Sequence, residues 1–301
     1  MIVSKNAVKK FDTFTAIDNL SCTIPDGCIY GMVGSNGAGK STFLRMISGV
    51  YRPDSGEVTI DDESIWENPA AKCQIAFIPD DVYYLANSNM NRMADLYSTV
   101  YPSFDYNTFK YLTNTFNLDP KKNLNSFSKG MRRQASTILA LAARTKYIFF
   151  DETFDGLDPV MRNLVKKLIC NDVVERKATA IITSHSLREL EDTCDQLALL
   201  HKGGLVLESD IGNLKTKQFK VQIAFSDEYD KSKFDGIDIV SFHKSGSVTN
   251  MIIKGEREET VTKLSMMQPL ILDVLPLSLE EIFTYEMEAL GYSFEGLFEE
   301  V

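Results

Sequence analysis

Short apolar runs and longer helical patterns alternate along the first 215 residues. The runs are four to six residues long, and each is followed by a polar residue, a proline or a glycine. They fall at residues 29–33, 74–79, 147–150 and 179–183. Between them, apolar residues recur every three or four positions, as on the buried face of a helix. This alternation predicts an α/β fold with a mainly parallel sheet and helices on both of its faces.

The first 32 residues have a different pattern. Polar and apolar positions mix there at short spacing, and Pro25-Asp26-Gly27 supplies a turn. Residues 53–60 give another turn and strand. These segments predict an antiparallel N-terminal subdomain beside the parallel sheet.

A helical insert is predicted at about residues 82–135. Its apolar residues define two amphipathic helices. The first helix carries Met93, Leu96, Tyr97 and Val100, and the second carries Phe109, Leu112, Phe116 and Leu118. A long apolar helix then begins near Ser128 and runs through Leu141.

The pattern changes again beyond residue 216. Three strand-like segments, a short helix and a fourth strand precede Ser278, which has Glu281 three positions later. A serine and a glutamate at that spacing form a capping box at the start of a helix. We therefore divide the chain into a domain at 1–215 and a small α+β domain at 216–301.

Composition narrows the possible functions. The chain has 301 residues and a formal net charge of −10, and it shows no basic stripe, so nucleic acid is not an expected partner. No apolar run approaches the roughly 18 residues of a membrane span, and the N-terminal residues lack a long apolar core. Five cysteines are scattered without metal-ligand spacing. We expect a cytoplasmic location with reduced thiols.

The strongest chemical signal follows the strand at 29–33. The segment Gly34-Ser35-Asn36-Gly37-Ala38-Gly39-Lys40-Ser41-Thr42 matches the phosphate-loop pattern G-x-x-x-x-G-K-[ST], and a helical pattern follows it. Glycines allow backbone N–H groups to surround a phosphate, and the helix start adds a partial positive charge. Lys40 is expected to reach the β- and γ-phosphates, and the Ser41 hydroxyl to ligate Mg²⁺. These residues predict binding of a nucleoside triphosphate with Mg²⁺.

Three further side chains fit a nucleoside triphosphatase. Asp151 ends an apolar strand and is expected to hold Mg²⁺, while Glu152 is placed to position or activate the attacking water. His185 follows another strand and can donate a hydrogen bond to the γ-phosphate. Taken singly, the acids fit a solvated strand end and the histidine fits a core position. Their order after a phosphate loop favours catalysis by Lys40, Glu152 and His185.

Together these motifs make residues 1–215 resemble the ATPase cassette of ATP-binding cassette (ABC) transporters. The resemblance implies that Phe11 stacks on adenine, although packing alone also explains an aromatic residue there. It places Ser128 and Gly130 in the signature segment Phe127-Ser128-Lys129-Gly130-Met131, where the family has LSGGQ. It also makes Phe154-Asp155-Gly156-Leu157-Asp158 similar to the D-loop, with Asp158 near the nucleotide.

The chain departs from the family pattern at three places. Asp80 stands where the Q-loop glutamine belongs, and an acid there is expected to hold Mg²⁺ or water. Lys129 and Met131 replace a glycine and a glutamine of the signature, so Lys129 either adds charge toward the γ-phosphate or faces solvent. Thr153 replaces the proline that usually follows the catalytic glutamate.

The resemblance implies an ATPase subunit that drives a separate transmembrane permease from the cytoplasmic face of the membrane. The SKGMRRQ segment and the C-terminal extension are similar to exporter ATPases of the bacitracin and antimicrobial-peptide resistance group. Two cassettes, either two copies or one copy and a sister ATPase, are expected to face each other head to tail. The resemblance places the permease contact between Asp80 and about Tyr101. Met90, Met93, Leu96 and Tyr97 are candidates for its groove, although packing in the core of the insert also explains them and is the better explanation for two of the four. The alternative is a soluble ABC protein that acts on the ribosome or DNA, which the acidic charge and single cassette disfavour.

Overall fold

The computed structural model describes residues 1–212, 218–275 and 277–289. The chain divides into two compact units, Met1–Glu208 and Ser209–Val301. This division lies a few residues before the boundary predicted after residue 215. A functional partition into a cassette and an accessory domain remains our proposal.

The first unit contains a small sheet whose paired strands are antiparallel, with strand order β2-β1-β4-β5. Its strands are β1 (Ile2–Phe11), β2 (Phe14–Ile24), β4 (Ser55–Ile60) and β5 (Glu63–Ser64). Apolar side chains such as Ile2, Ile17 and Leu20 are buried in one core together with residues of the parallel sheet. The predicted antiparallel subdomain is confirmed.

The larger sheet of this unit has the strand order β10-β9-β3-β8-β7-β6. Its strands are β3 (Ile29–Val33), β6 (Ile75–Ile78), β7 (Tyr147–Asp151), β8 (Thr179–Ser184), β9 (Gln196–His201) and β10 (Gly204–Asp210). The pairs that join β9, β3, β8, β7 and β6 are parallel. Strands β3, β8 and β7 are consecutive neighbours, so their carboxyl ends lie at one edge of the sheet, where ligands bind in open α/β folds.

Seven α-helices are described in the first unit. They are α1 (Lys40–Ile47), α2 (Pro69–Lys72), α3 (Met90–Val100), α4 (Tyr106–Thr115), α5 (Lys129–Ala142), α6 (Pro159–Arg176) and α7 (Leu187–Glu191). Asp195, shortly after the end of α7, bonds Ile29 at the start of β3. The Asp195 N–H donates to the Ile29 carbonyl, and the Asp195 carboxylate accepts from the Ile29 N–H, both at 2.8 Å. Over the described residues, no helix is long and apolar enough to cross a bilayer.

The four candidate permease-contact residues of α3 differ in exposure. Met90 and Met93 on α3 are buried in the insert, where they act as core residues. Tyr97 is partly buried, and only Leu96 of the four predicted side chains is exposed. An amphipathic pattern locates the buried face of α3, and the methionines belong to that face.

The second unit has a four-stranded antiparallel sheet of order β12-β13-β11-β14. Its elements are β11 (Gln218–Ala224), β12 (Ile239–Ser245), β13 (Val248–Lys254), α8 (Arg257–Met266), β14 (Ile271–Leu275) and α9 (Leu279–Ala289). The capping box at the start of α9 is confirmed: the Glu281 N–H donates to Ser278 Oγ at 3.2 Å, and the Ser278 N–H donates to Glu281 Oε2 at 3.1 Å. Leu279, Ile282 and Phe283 of α9 are buried, whereas Leu290 lies outside the described residues.

Candidate functional site

The phosphate loop joins the buried strand β3 to helix α1. Gly37 and Gly39 both have positive φ angles, 79° and 106°, which a residue with a Cβ adopts only at a cost. A Cβ on Gly34 would lie 2.4 Å from the Leu200 carbonyl oxygen, and one on Gly39 would lie 2.7 Å from the Ala16 carbonyl oxygen. Helix α1 has no side-chain cap, so the N–H groups of its first turn are available to an anion.

Lys40 is the buried cation of this loop. Its ammonium donates to the Gly34 carbonyl at 2.6 Å and to the Ser35 carbonyl at 3.3 Å. It also lies 3.1 Å from Glu152 Oε1, and only 5% of its side chain is exposed. The loop's own carbonyls therefore direct the ammonium across the site toward Glu152.

Asp151 and Ser41 form the part of the site that suits Mg²⁺. The Ser41 hydroxyl donates to Asp151 Oδ1 at 2.8 Å, and the Thr183 hydroxyl donates to the same oxygen at 2.8 Å. Asp151 is fully buried, and its Oδ2 has no hydrogen-bond partner among the described residues. A buried carboxylate oxygen needs a partner, and Mg²⁺ with its oxygen preference supplies one. The residues present therefore fit the metal.

Glu152 has an unusual backbone. Its φ angle of 46° places it in the left-handed region, which costs a non-glycine residue about 1 kcal/mol or more. Its N–H donates to Thr183 Oγ1 at 3.0 Å. This local turn directs the carboxylate between Lys40 and His185, whose Nδ1 lies 3.2 Å from Glu152 Oε2.

His185 follows β8 and is half exposed. Its Nδ1 is also 4.0 Å from Asp155 Oδ2. Glu152, Asp155 and His185 thus form one polar cluster at the edge of the sheet. The structure brings together Lys40, Ser41, Asp151, Glu152 and His185, whose roles were predicted from sequence.

Two residues of this site were not found from the sequence. Thr183 contacts both acids, as described above. Arg133 on α5 is buried, and its guanidinium donates to the Glu152 carbonyl and to the carboxylate of Asp80. Among the described contacts, the Asp80 carboxylate meets Arg133 rather than Ser41 or Asp151. Its part in holding Mg²⁺ therefore stays a prediction.

The signature segment begins helix α5. Ser128 is exposed and caps the helix, with its Oγ accepting from the Met131 N–H at 3.3 Å. A Cβ on Gly130 would lie 3.1 Å from the Gly156 carbonyl oxygen, so α5 starts close to the loop that follows Glu152. Lys129 is exposed.

Two other predicted nucleotide contacts lie apart from this polar cluster. Phe11, at the end of β1, is 39% exposed and packs edge-to-face on Tyr51 at 5.3 Å between ring centroids. Asp158 caps α6, with its Oδ1 accepting from the Val160 and Met161 N–H groups at 3.0 Å. Both roles in nucleotide binding stay predictions.

Comparisons with known proteins show the family of the chain. The family model described as "ABC transporter" matches residues 17–155. The chain is 30% identical to the ABC transporter ATP-binding protein YtrB of Bacillus subtilis (strain 168), over 94% of this chain and 97% of that protein. The chain belongs to the ABC transporter ATP-binding proteins.

Two further similarities bear on this family assignment. The bacitracin transport ATP-binding protein BcrA of Bacillus licheniformis is 28% identical over 76% of each chain. The fold matches a dimeric post-hydrolysis structure of the ATP-binding cassette MJ0796 bound to ADP and Pi, with a TM-score of 0.63 and 19% identity over 70% of this chain and 99% of that one. The predicted P-loop cassette fold and family are confirmed, and the ABC ATPase hydrolyses ATP.

Proposed function

We propose that this ABC ATPase drives an exporter whose transmembrane permease is a separate chain, and that it works at the cytoplasmic face of the membrane. The observation that carries the proposal is the convergence of Lys40, Ser41, Asp151, Glu152 and His185 on one edge of the sheet. The name of BcrA, a bacitracin transport protein, supports a role in transport. The net charge of −10 speaks against the alternative of a soluble ABC protein on nucleic acid.

Each residue of the cluster has a distinct part in hydrolysis. The phosphate loop binds the triphosphate through its N–H groups, and Lys40 neutralises charge on the β- and γ-phosphates. Ser41 and Asp151 would hold Mg²⁺, which when bound neutralises charge on the β- and γ-phosphate oxygens. Glu152 accepts a proton from the attacking water. His185 donates a hydrogen bond to the γ-phosphate and orients the Glu152 carboxylate.

Two cassettes are proposed to bind two ATP molecules between them. Ser128 is exposed at the start of a 14-residue helix, so it offers a hydroxyl and a positive helix end to a phosphate. The partner cassette, either a second copy or a sister ATPase, would supply that phosphate from its own loop. ATP then holds the two cassettes together, and hydrolysis at Glu152 separates them.

Sedimentation of the full chain with Mg·ATP tests this association. Glu152→Gln is expected to form a dimer, because ATP is bound but not consumed. Adding Ser128→Glu should return it to a monomer, since a carboxylate would face the γ-phosphate. Ser126→Glu changes another exposed serine, two residues earlier. It is the matched control and should leave the dimer intact. Equal dimerisation of the Ser128 and Ser126 variants would contradict the arrangement.

A further inference from the structure

The guanidinium of Arg133 joins three parts of the cassette that are distant in sequence. Arg133 lies on α5 of the helical insert and is 2% exposed. It donates to the carbonyl of Glu152, just after β7, and to the carboxylate of Asp80, just after β6. A weaker contact of 3.3 Å joins it to the Asp80 carbonyl. One side chain therefore links the insert to the backbone of the proposed catalytic glutamate.

An arginine is suited to this position. A buried cation requires a charged partner, and Asp80 provides one. The planar guanidinium can donate to two separate acceptors in fixed directions, whereas the ammonium of a lysine acts as a single point charge. Arginine therefore satisfies both the Asp80 carboxylate and the Glu152 carbonyl.

The bond to Glu152 helps to hold a strained backbone in place. Glu152 has a φ angle of 46°, and a left-handed glutamate persists only where its surroundings hold it. Thr183 accepts from its N–H at 3.0 Å, and Arg133 donates to its carbonyl. Both sides of the residue are thereby held, which fixes the direction of its carboxylate.

We propose that Arg133 is a positioning residue that holds Glu152 in its catalytic geometry, and that Asp80 anchors Arg133 instead of ligating Mg²⁺. A displacement of the insert relative to the parallel sheet would pull on the Glu152 carbonyl through this guanidinium. The Asp80–Arg133 pair thus couples the position of the insert to the orientation of the Glu152 carboxylate. The inference rests on the proposed catalytic role of Glu152.

The test measures ATP hydrolysis, ATP affinity and Mg²⁺ dependence on the full chain. Arg133→Gln and Asp80→Asn are each expected to lower kcat by about 10- to 100-fold, because a small displacement of a catalytic group has an effect of that size. The ATP Kd should stay within about twofold, since the phosphate loop is untouched. Arg133→Lys should rescue little, because one ammonium cannot serve both acceptors.

A double variant and a matched control make the test specific. Asp80→Asn added to Arg133→Gln should cause no further loss, because both changes break one link. The Mg²⁺ concentration for half-maximal rate should not change. Arg132→Gln, one residue earlier on the same helix, should keep the wild-type kcat. If Arg133→Gln does not fold, as judged by lost ATP binding, the half-exposed Asp80 carboxylate still provides the test.

Three results would overturn the proposal. They are an unchanged kcat in Asp80→Asn, full activity in Arg133→Lys, and a shifted Mg²⁺ requirement in Asp80→Asn whether or not Arg133 is present. The last result would make Asp80 a metal ligand. Failure of the proposed function is distinguishable, because it would show as near-normal hydrolysis in Glu152→Gln itself.

Discussion

At the scale of single residues, one hydroxyl orients both acids of the site. Thr183 Oγ1 donates to Asp151 Oδ1 at 2.8 Å and accepts from the Glu152 N–H at 3.0 Å. Thr183 is fully buried at the end of β8. It therefore fixes which Asp151 oxygen remains for a metal and where the chain turns into Glu152.

We expect Thr183→Val to weaken Mg²⁺ binding, because the isosteric side chain removes the hydrogen bond that orients Asp151. Loss of a group that orients a metal ligand typically costs 10- to 100-fold in metal affinity. The measurement is ATPase rate against Mg²⁺ concentration. Thr183→Ser, which restores the hydroxyl, should recover the wild-type requirement. An unchanged requirement in Thr183→Val would show that Thr183 has no part in orienting Asp151.

The site residues that could be predicted from sequence belong to local patterns, and those that could not are defined by long-range contacts. Lys40 and Ser41 could be found from sequence because one local motif contains them. Glu152 and His185 could be found because each directly follows an apolar strand. Arg133 could not be found from sequence, because its partners lie 19 and 53 positions away. The same holds for Thr183, whose partners lie 31 and 32 positions away. Long-range side-chain contacts leave no pattern in a single sequence.

At the scale of elements, a network of charged groups links two turns near the start of β7, whereas the site lies at the end of that strand. The Met1 ammonium and the Lys146 ammonium both contact Asp26 and Asp61, which lie in the turns after β2 and β4. The Tyr147 hydroxyl at the start of β7 joins them. Burial alone would raise the pKa of Asp61, but hydrogen bonds from Lys146, the N-terminus and Tyr147 lower it to about 2.

Asp61→Asn is expected to make the fold less stable at neutral pH. The folded pKa lies below the ordinary value of about 3.9, so the stabilisation is present above pH 4 and is lost as pH falls toward 2. Because the groups are partly exposed, the loss should be about 1 kcal/mol or less at pH 7. The loss of stability is measured by comparing the urea midpoints of Asp61→Asn and the wild-type chain at pH 7 and pH 3. Asp62→Asn, the neighbouring acid, is the control, and an equal loss at both pH values would contradict the ionic explanation.

At the scale of the whole molecule, the predicted permease-contact region from Asp80 to about Tyr101 contains both buried and exposed apolar side chains. The buried methionines of α3 are not available to a partner. Two exposed apolar side chains instead lie in the segment between β6 and α3: Tyr83, which is 82% exposed, and Leu85, which is 53% exposed. This segment directly follows Asp80. It is our proposed permease-binding surface.

A charge on that surface should weaken permease binding without affecting hydrolysis. Tyr83→Asp is expected to reduce capture of the permease by about tenfold or more, because a central aromatic contact contributes at least 1–2 kcal/mol at an interface. The probe would be a detergent-purified membrane protein whose gene adjoins the gene of this chain. Tyr111→Asp, an exposed tyrosine on α4, is the matched control. Equal capture by both variants would place the contact elsewhere.

Sequence patterning predicts the architecture of the molecule better than its exposed surface. The strand–loop–helix at Gly34–Thr42, the antiparallel subdomain and the α9 capping box are all local signals, and each is confirmed. The insert was also found, but the pattern left open which of its apolar side chains belong to the core, because methionine suits both a core and a binding groove. Whether a helix side chain is exposed depends on the elements that pack against the helix. The periodicity of one helix does not identify those elements.

The most direct measurement compares ATP binding and turnover in Glu152→Gln and Lys40→Ala. We expect Glu152→Gln to bind Mg·ATP with near wild-type Kd and to turn over about 10²- to 10⁴-fold more slowly, because only the proton acceptor is lost. Lys40→Ala should lose ATP affinity itself, because a charge on the β- and γ-phosphates is removed. Near-normal turnover in Glu152→Gln would contradict the central claim that this carboxylate, held between Lys40 and His185, carries out hydrolysis.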